Sequence, residues 1–473
     1  MRIKKILNFG LLSLVSISNI NAFAAEPMNL DNLLRRAEEN SEAIQASEKT
    51  IQSIRAEISG RDLLLSPKLE AEVADARDNR DSVAANQRFR TQLLDVSLTK
   101  LFSTGTQVSV SAGHDITSTE TTGRRNIGSW EFKVSQSLWR DAFGRNTKLR
   151  HQAEEAELQA RTLTAVYQRQ SFLVELENAY WDLLYAKKEE DVRRSNIERS
   201  ETVEKWTRDR ARRSMAEPTD LLQAQALVSS RQLELIGVRN RIESLQNRIQ
   251  QLVPNQTPRT WQIDLKELEA SRPFEQLLTG SGSAEPVRLD SLSSRFRAQQ
   301  ADSEASRTDD SLRPKVDAYV SYGQNGADER FATSWDRAKD PQFSAARVGV
   351  TLSMDLDWTL KDDQRRAARL NAEARELEAR AQSRLSNVGW ADLKREIDEL
   401  KRQEKEAGRL ADLQEKKVAA ERSRYRLGRT TVFQLITFEI DAANSQITLA
   451  RIRADLRKLE ARARIFTRQA GVQ

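Results

Sequence analysis

Cysteine is absent from all 473 residues, and only two histidines occur, His114 and His151. The first absence excludes disulfides, thiolate metal sites and a cysteine nucleophile, and it also excludes acylation of an N-terminal cysteine. The two histidines have no partner at ligand spacing, so no metal or other cofactor is expected. Neither a glycine-rich phosphate loop nor a G-x-S-x-G elbow occurs, and the chain does not read as an enzyme. An excess of one charge is lacking as well: 76 Lys and Arg stand against 70 Asp and Glu, a net of +6. The two signs interleave along helical stretches, which reads as solvated helix faces, so nucleic acid is not an expected partner. Beyond the first residues no run of about 18 apolar residues occurs, which excludes a membrane helix. If this chain enters a membrane, it does so with strands.

The N-terminus reads as a signal peptide, 1–24. Arg2, Lys4 and Lys5 form a basic start, 6–20 is mainly apolar but too short to span a bilayer, and Ala22-Phe23-Ala24 supplies the small-x-small cleavage pattern. Cleavage before Ala25 and export across an inner membrane are expected. The stretch 30–65 then places Leu33, Leu34, Ala37, Ile44, Ile51, Ile54 and Ile58 mostly three, four or seven apart, a helical spacing that Ser66-Pro67 ends.

After Pro67 the period changes to two. Leu69, Ala71 and Val73 alternate with charged residues, and Leu94, Val96 and Leu98, then Val108, Val110 and Ala112, then Trp130, Phe132 and Val134 alternate with polar or charged ones. These four candidate strands are each about the 9–11 residues that a tilted membrane strand needs. The stretches 78–91 and 118–128 between them are long and polar, as outward loops would be, whereas 103–105 is a tight turn. From 145 to about 212 the text is helix-favouring. Leu149, Ala153, Ala156, Ala160, Leu163 and Val166 step by four and three, a coiled-coil spacing. A helix of that length is roughly 100 Å long, more than a compact domain needs. The chain turns at Glu217-Pro218-Thr219-Asp220, and a return helix runs to Leu252.

The order then recurs. A helix around 288–312 ends at Arg313-Pro314, and Val316, Ala318, Val320 and Tyr322 alternate with polar residues. The cleanest strand follows over 346–358, with Trp358 placed for a membrane interface. A helical stretch runs over 361–427, Gly428 breaks it, and a closing helix follows. At a constant offset of 214, Ser214 falls on Gly428, Asp220 on Gln434, Leu221 on Leu435 and Leu235 on Leu449. Two internal repeats are therefore expected, 25–253 and 287–473, joined by a Pro-, Gly- and Ser-rich linker or equatorial segment, 254–286.

Helix, proline, strands, very long helix, turn and return helix, written twice behind a signal peptide, resemble the TolC family of outer-membrane efflux and secretion channels. The resemblance covers nearly the whole mature chain. Its most specific marker is Tyr425-Arg426-Leu427-Gly428 with the helix that follows, and Ala179-Tyr180-Trp181-Asp182-Leu183 and the strand starts after Pro67 and Pro314 add to it. The resemblance implies an α+β membrane protein: a homotrimeric tube with a β-barrel in the outer membrane of a Gram-negative bacterium and a helical barrel in the periplasm. Family precedent favours about four strands per protomer. The second pair, 92–101 and 105–116, either forms a hairpin outside the barrel or widens it to eighteen strands.

The implied function is a passive exit duct of a tripartite efflux or type I secretion system, served by a periplasmic adaptor and an inner-membrane transporter. Its implied gate is at the helix turns. There Thr219 and Asp220 meet Tyr425 and a cation, which falls one place early at Arg429, before Thr430. Two positions expected to be acidic are Gln434 and Thr437, with Glu439 and Asp441 near enough to supply charge. Ser214 and Gly428 mark the turns where an adaptor would dock. Asp220 also reads as a helix N-cap, Tyr425 and Trp181 as packing between helices, and Gly428 as a left-handed helix cap. The rival reading is a periplasmic coiled-coil adaptor or spacer, which has no use for amphipathic strands in both halves.

Overall fold

The computed structural model describes residues 29–78, 89–119, 123–254, 264–270, 273–278 and 285–468. The expected signal peptide, most of the 78–91 loop and parts of the linker lie outside them. Two helices dominate the chain, α3 (Arg145–Arg212, 68 residues) and α7 (Trp358–Arg426, 69 residues), each roughly 100 Å long. Towards the strands they are flanked by α2 (Glu42–Gly60) and α5 (Leu289–Ser311); α5 lies between them. Towards the turns they are flanked by α4 (Pro218–Leu252) and α8 (Val432–Ala461). The expected single N-terminal helix is two, because Ser41 leaves helical geometry between α1 (Leu30–Asn40) and α2.

Small residues on α3 make the close packing possible. Ser47 of α2 and Ser293 of α5 donate to the carbonyl oxygens of Ala165 (3.1 Å) and Ala160 (2.9 Å), contacts that a larger side chain on α3 would block. The main apolar core is at mid-height, where Leu176, Tyr180, Leu183 and Leu184 of α3 meet Leu33 of α1, Ile249 of α4 and Ala454 of α8. A second cluster gathers Phe274, Trp390 and Phe466 beside a two-residue ladder of β5 (Val287–Arg288) with β8 (Phe466–Thr467).

The strands form one antiparallel sheet in the order β1-β2-β3-β4-β6-β7: β1 (Lys68–Asp78), β2 (Phe89–Leu101), β3 (Thr106–Thr119), β4 (Gly123–Ser137), β6 (Lys315–Asp328) and β7 (Ser344–Ser353). The preference for four strands is thereby corrected. β2 and β3 lie inside the sheet, hydrogen-bonded between β1 and β4, and no hairpin is set apart from it. β7 is also shorter than the expected 346–358. Its partner β6 begins just after Pro314, which has no N–H for a ladder, and Asp357 instead caps α7 by accepting from the Leu360 N–H.

Register makes the sheet two-faced. One row across all six strands is Leu69, Leu98, Val110, Phe132, Tyr322 and Ala346; the next is Lys68, Thr99, Ser109, Lys133, Ser321 and Arg347. The apolar face is largely bare, with Val73 80% and Val348 82% exposed. The polar face ties itself together instead: Arg347 bonds Glu131 at 3.3 Å and Lys133 stands over the Tyr319 ring. Between β6 and β7 a short helix, α6 (Phe331–Arg337), folds onto one end of the apolar face, with Trp335 against Gly128 and the Trp130 indole donating to the Ala338 carbonyl. At the opposite end the β2–β3 turn presses on the start of α3. A Cβ on Gly144 would lie 1.7 Å from the Ser103 carbonyl oxygen, so only glycine fits there.

Candidate functional site at the helix turns

Far from the sheet, the long helices end in two turns of the same construction. α3 closes with the Met215 N–H on the Arg210 carbonyl (2.9 Å), and α7 with the Arg429 N–H on the Arg424 carbonyl (2.9 Å). In each, the residue before that donor is left-handed: Ser214 at φ 53° and Gly428 at φ 72°. This is the six-to-one C-cap for which glycine is the usual residue, and Ser214 adopts it without being one. The return helices start differently. Pro218 opens α4 behind Glu217, whereas Thr431 caps α8 by accepting from the Gln434 N–H at 3.3 Å. Sequence reading missed Thr431, although a threonine three places before a glutamine is the capping-box signature.

Tyr425 is the centre of this end. It is 3% exposed and packs with Val203, Val432 and Leu435, with Trp206 and Ile436 against them. Its hydroxyl lies 2.8 Å from Thr207 Oγ1. Thr207 already donates its proton to the Val203 carbonyl, so Tyr425 is the donor. The Arg210 guanidinium stands 5.3 Å from the Tyr425 ring centroid, and that of Arg426 stands 5.9 Å from the Trp206 ring. Each long helix thus lays an arginine on the other's aromatic ring.

The remaining site residues are dispersed within one protomer. Tyr425 meets Thr207 and makes no bond with Asp220, which is half-buried in the first turn of α4 and is not the cap of that helix. Thr219 donates to Glu217 (3.3 Å), Thr430 to the Gln434 side-chain oxygen (3.1 Å), and Thr437 to the Phe433 carbonyl (3.0 Å). Arg429 is exposed and has no ion pair among the described residues. Glu439, considered as a source of free negative charge, is buried and held by Arg422, with bonds at 2.5 and 2.8 Å. The hydrogen bonds from Arg422 to Glu439 raise the guanidinium pKa above its ordinary value, and Arg199 adds a second positive charge 3.9 Å from Glu439. Glu439 is therefore a structural counter-ion.

No protein-family model matches the chain, and no curated protein sequence does. Solved structures do match. The outer-membrane channel OprN aligns at a TM-score of 0.66 and 15% identity, over 92% of this chain and 89% of that one. The outer membrane protein VceC of Vibrio cholerae aligns at 0.64 and 17%, over 92% and 95%. The MtrE outer membrane channel of Neisseria gonorrhoeae, in its open state, aligns at 0.62 and 14%, over 94% and 91%. The fold is that of the TolC-type outer-membrane channels. The match spans more than nine-tenths of VceC and of MtrE and 89% of OprN, and so takes in the helices and the sheet together. At these identities the likeness is one of architecture, and the role of each side chain rests on this chain's own geometry.

Proposed function

We propose that this protein is a channel of the outer membrane, the exit duct of a tripartite efflux or type I secretion system. The observation that carries it is the sheet: six strands in register, apolar on one face, polar on the other, with β1 and β7 as open edges. A bare apolar face of this extent is unfavourable in water and suited to lipid. Open edges, by contrast, are not tolerated in lipid, because their backbone groups have no water to bond. Further copies resolve the conflict by joining the β1 edge of one to the β7 edge of the next. Three copies give eighteen strands and a barrel roughly 36 Å across, taking about 4.8 Å between strands and a tilt of about 40°. The long helices then cross the periplasm, where an adaptor handed cargo by an inner-membrane transporter meets the two turns. Energy comes from that transporter, and the duct itself is passive. Asp220, Thr219 and Arg429, which lie at the turns, are the groups available to a neighbouring copy, and their release opens the mouth. Fractionation tests the reading: solubilisation only by detergent, as a heat-modifiable trimer that forms pores in planar bilayers, is expected. Release by osmotic shock would leave the coiled-coil spacer reading in its place.

A further inference from the structure

The turn end holds a cleft whose arginines the proposed gate does not use. It is open, about 310 Å³ in volume, and lined by Trp206, Asp209, Arg210, Arg213, Tyr425 and Arg426. Three guanidinium groups face one carboxylate there. Arg208, Arg422 and Arg424 nearby are already paired with Glu204, Glu439 and Glu421. Arg210, Arg213 and Arg426 have no carboxylate within ion-pair distance among the described residues. Arg210 spends one N–H on the Met215 carbonyl, at 3.3 Å. A guanidinium laid on a ring keeps the N–H groups of its edge free, and the five donors of arginine suit a carboxylate, sulfonate or phosphate. The half-buried Trp206 adds aromatic surface beside them, backed by the buried Tyr425 ring at 6.4 Å between centroids.

We infer that this cleft binds amphipathic organic anions, the acidic group on the arginines and the apolar body against the half-buried Trp206, and that it biases the mouth towards anionic cargo. Gln434 and Thr437 carry no charge and Glu439 is neutralised by Arg422, so these three positions add no free negative charge in opposition. Repeated in each copy around the mouth, the arginines concentrate anions where cargo enters.

The inference rests on the channel reading, and planar-bilayer recording of the full-length protein separates the two. A reversal potential in a KCl gradient should report preference for chloride over potassium. Naphthalene-1,5-disulfonate added on the turn side should block the current, and neutral naphthalenemethanol should not. Arg210→Gln with Arg426→Gln should weaken the block at least tenfold. Arg213→Gln alone, at an exposed position, should weaken it a few-fold with the fold undisturbed. Pores that prefer potassium, or a block of equal strength in wild type and variants, would overturn the inference and assign the arginines to an acidic partner surface. Absence of any pore would instead overturn the channel reading beneath it.

Discussion

Tyr425 and Thr207 are 218 positions apart, yet one hydroxyl bond and one apolar cluster join them. Removing that hydroxyl alone separates its two contributions. Tyr425→Phe leaves the Thr207 oxygen one donor short and should cost about 1 kcal/mol, whereas Tyr425→Ala empties the cluster and should cost about 3 kcal/mol or more, read as melting of the detergent-purified protein. The proposed gate also draws on charged residues at the same end. Asp220 is half-buried and Arg429 exposed, and neither has an ion pair among the described residues. If copies hold one another shut through these charges, Asp220→Ala with Arg429→Ala should raise single-channel conductance. An unchanged conductance would remove them from the gate.

At the scale of elements, the two C-caps form a natural comparison. Both Ser214 and Gly428 are left-handed, and a Cβ on Gly428 would meet nothing within 4 Å. Gly428→Ala therefore measures backbone strain without a clash and should destabilise by about 1 kcal/mol, whereas Ser214→Gly should stabilise by a similar amount. The pairing of α3 with α4 carries a pH dependence. Burial pushes the Glu190 carboxyl up, but hydrogen bonds from Lys187 and Arg239 and the charge of Arg194 outweigh it and hold the pKa below its ordinary 4.5. A depressed carboxyl pKa contributes stability that is present above the ordinary value and is lost as pH falls through the folded one. Glu190→Gln should lower the melting temperature at neutral pH and flatten its decline in acid, below about pH 4.5. A parallel decline in both proteins would show that this carboxylate is not the acid-sensitive group.

For the whole molecule the deciding question is the width of the wall. Ser97 and Val96 are neighbours on β2 and point to opposite faces, as do Ser111 and Val110 on β3. With no native cysteine to interfere, each can be replaced singly and probed. In an eighteen-stranded barrel, Ser97→Cys and Ser111→Cys should react with a membrane-impermeant maleimide and reduce conductance when labelled. Val96→Cys and Val110→Cys should be shielded by lipid. Equal reactivity of all four would place β2 and β3 outside the membrane wall.

Much of this fold is legible along the chain because its signals are local. A period of two against helical spacings of three and four, the prolines before β1 and β6, and the left-handed turn at Gly428 each follow from a few adjacent residues. What remains is set by partners far apart in the chain. The alternation of 92–101 and 105–116 is the same whether the hairpin stands in the sheet or beside it, and only hydrogen bonding to β1 and β4 decides that it stands inside. Likewise the letters around position 425 offer a tyrosine and several arginines, but not that the hydroxyl goes to Thr207 or that Arg210 lies on the ring. Nor could composition tell that Glu439 is spent on Arg422. Amphipathicity is a property of one segment and is written in its sequence; register and ion pairing are properties of two, and only the folded chain brings them together.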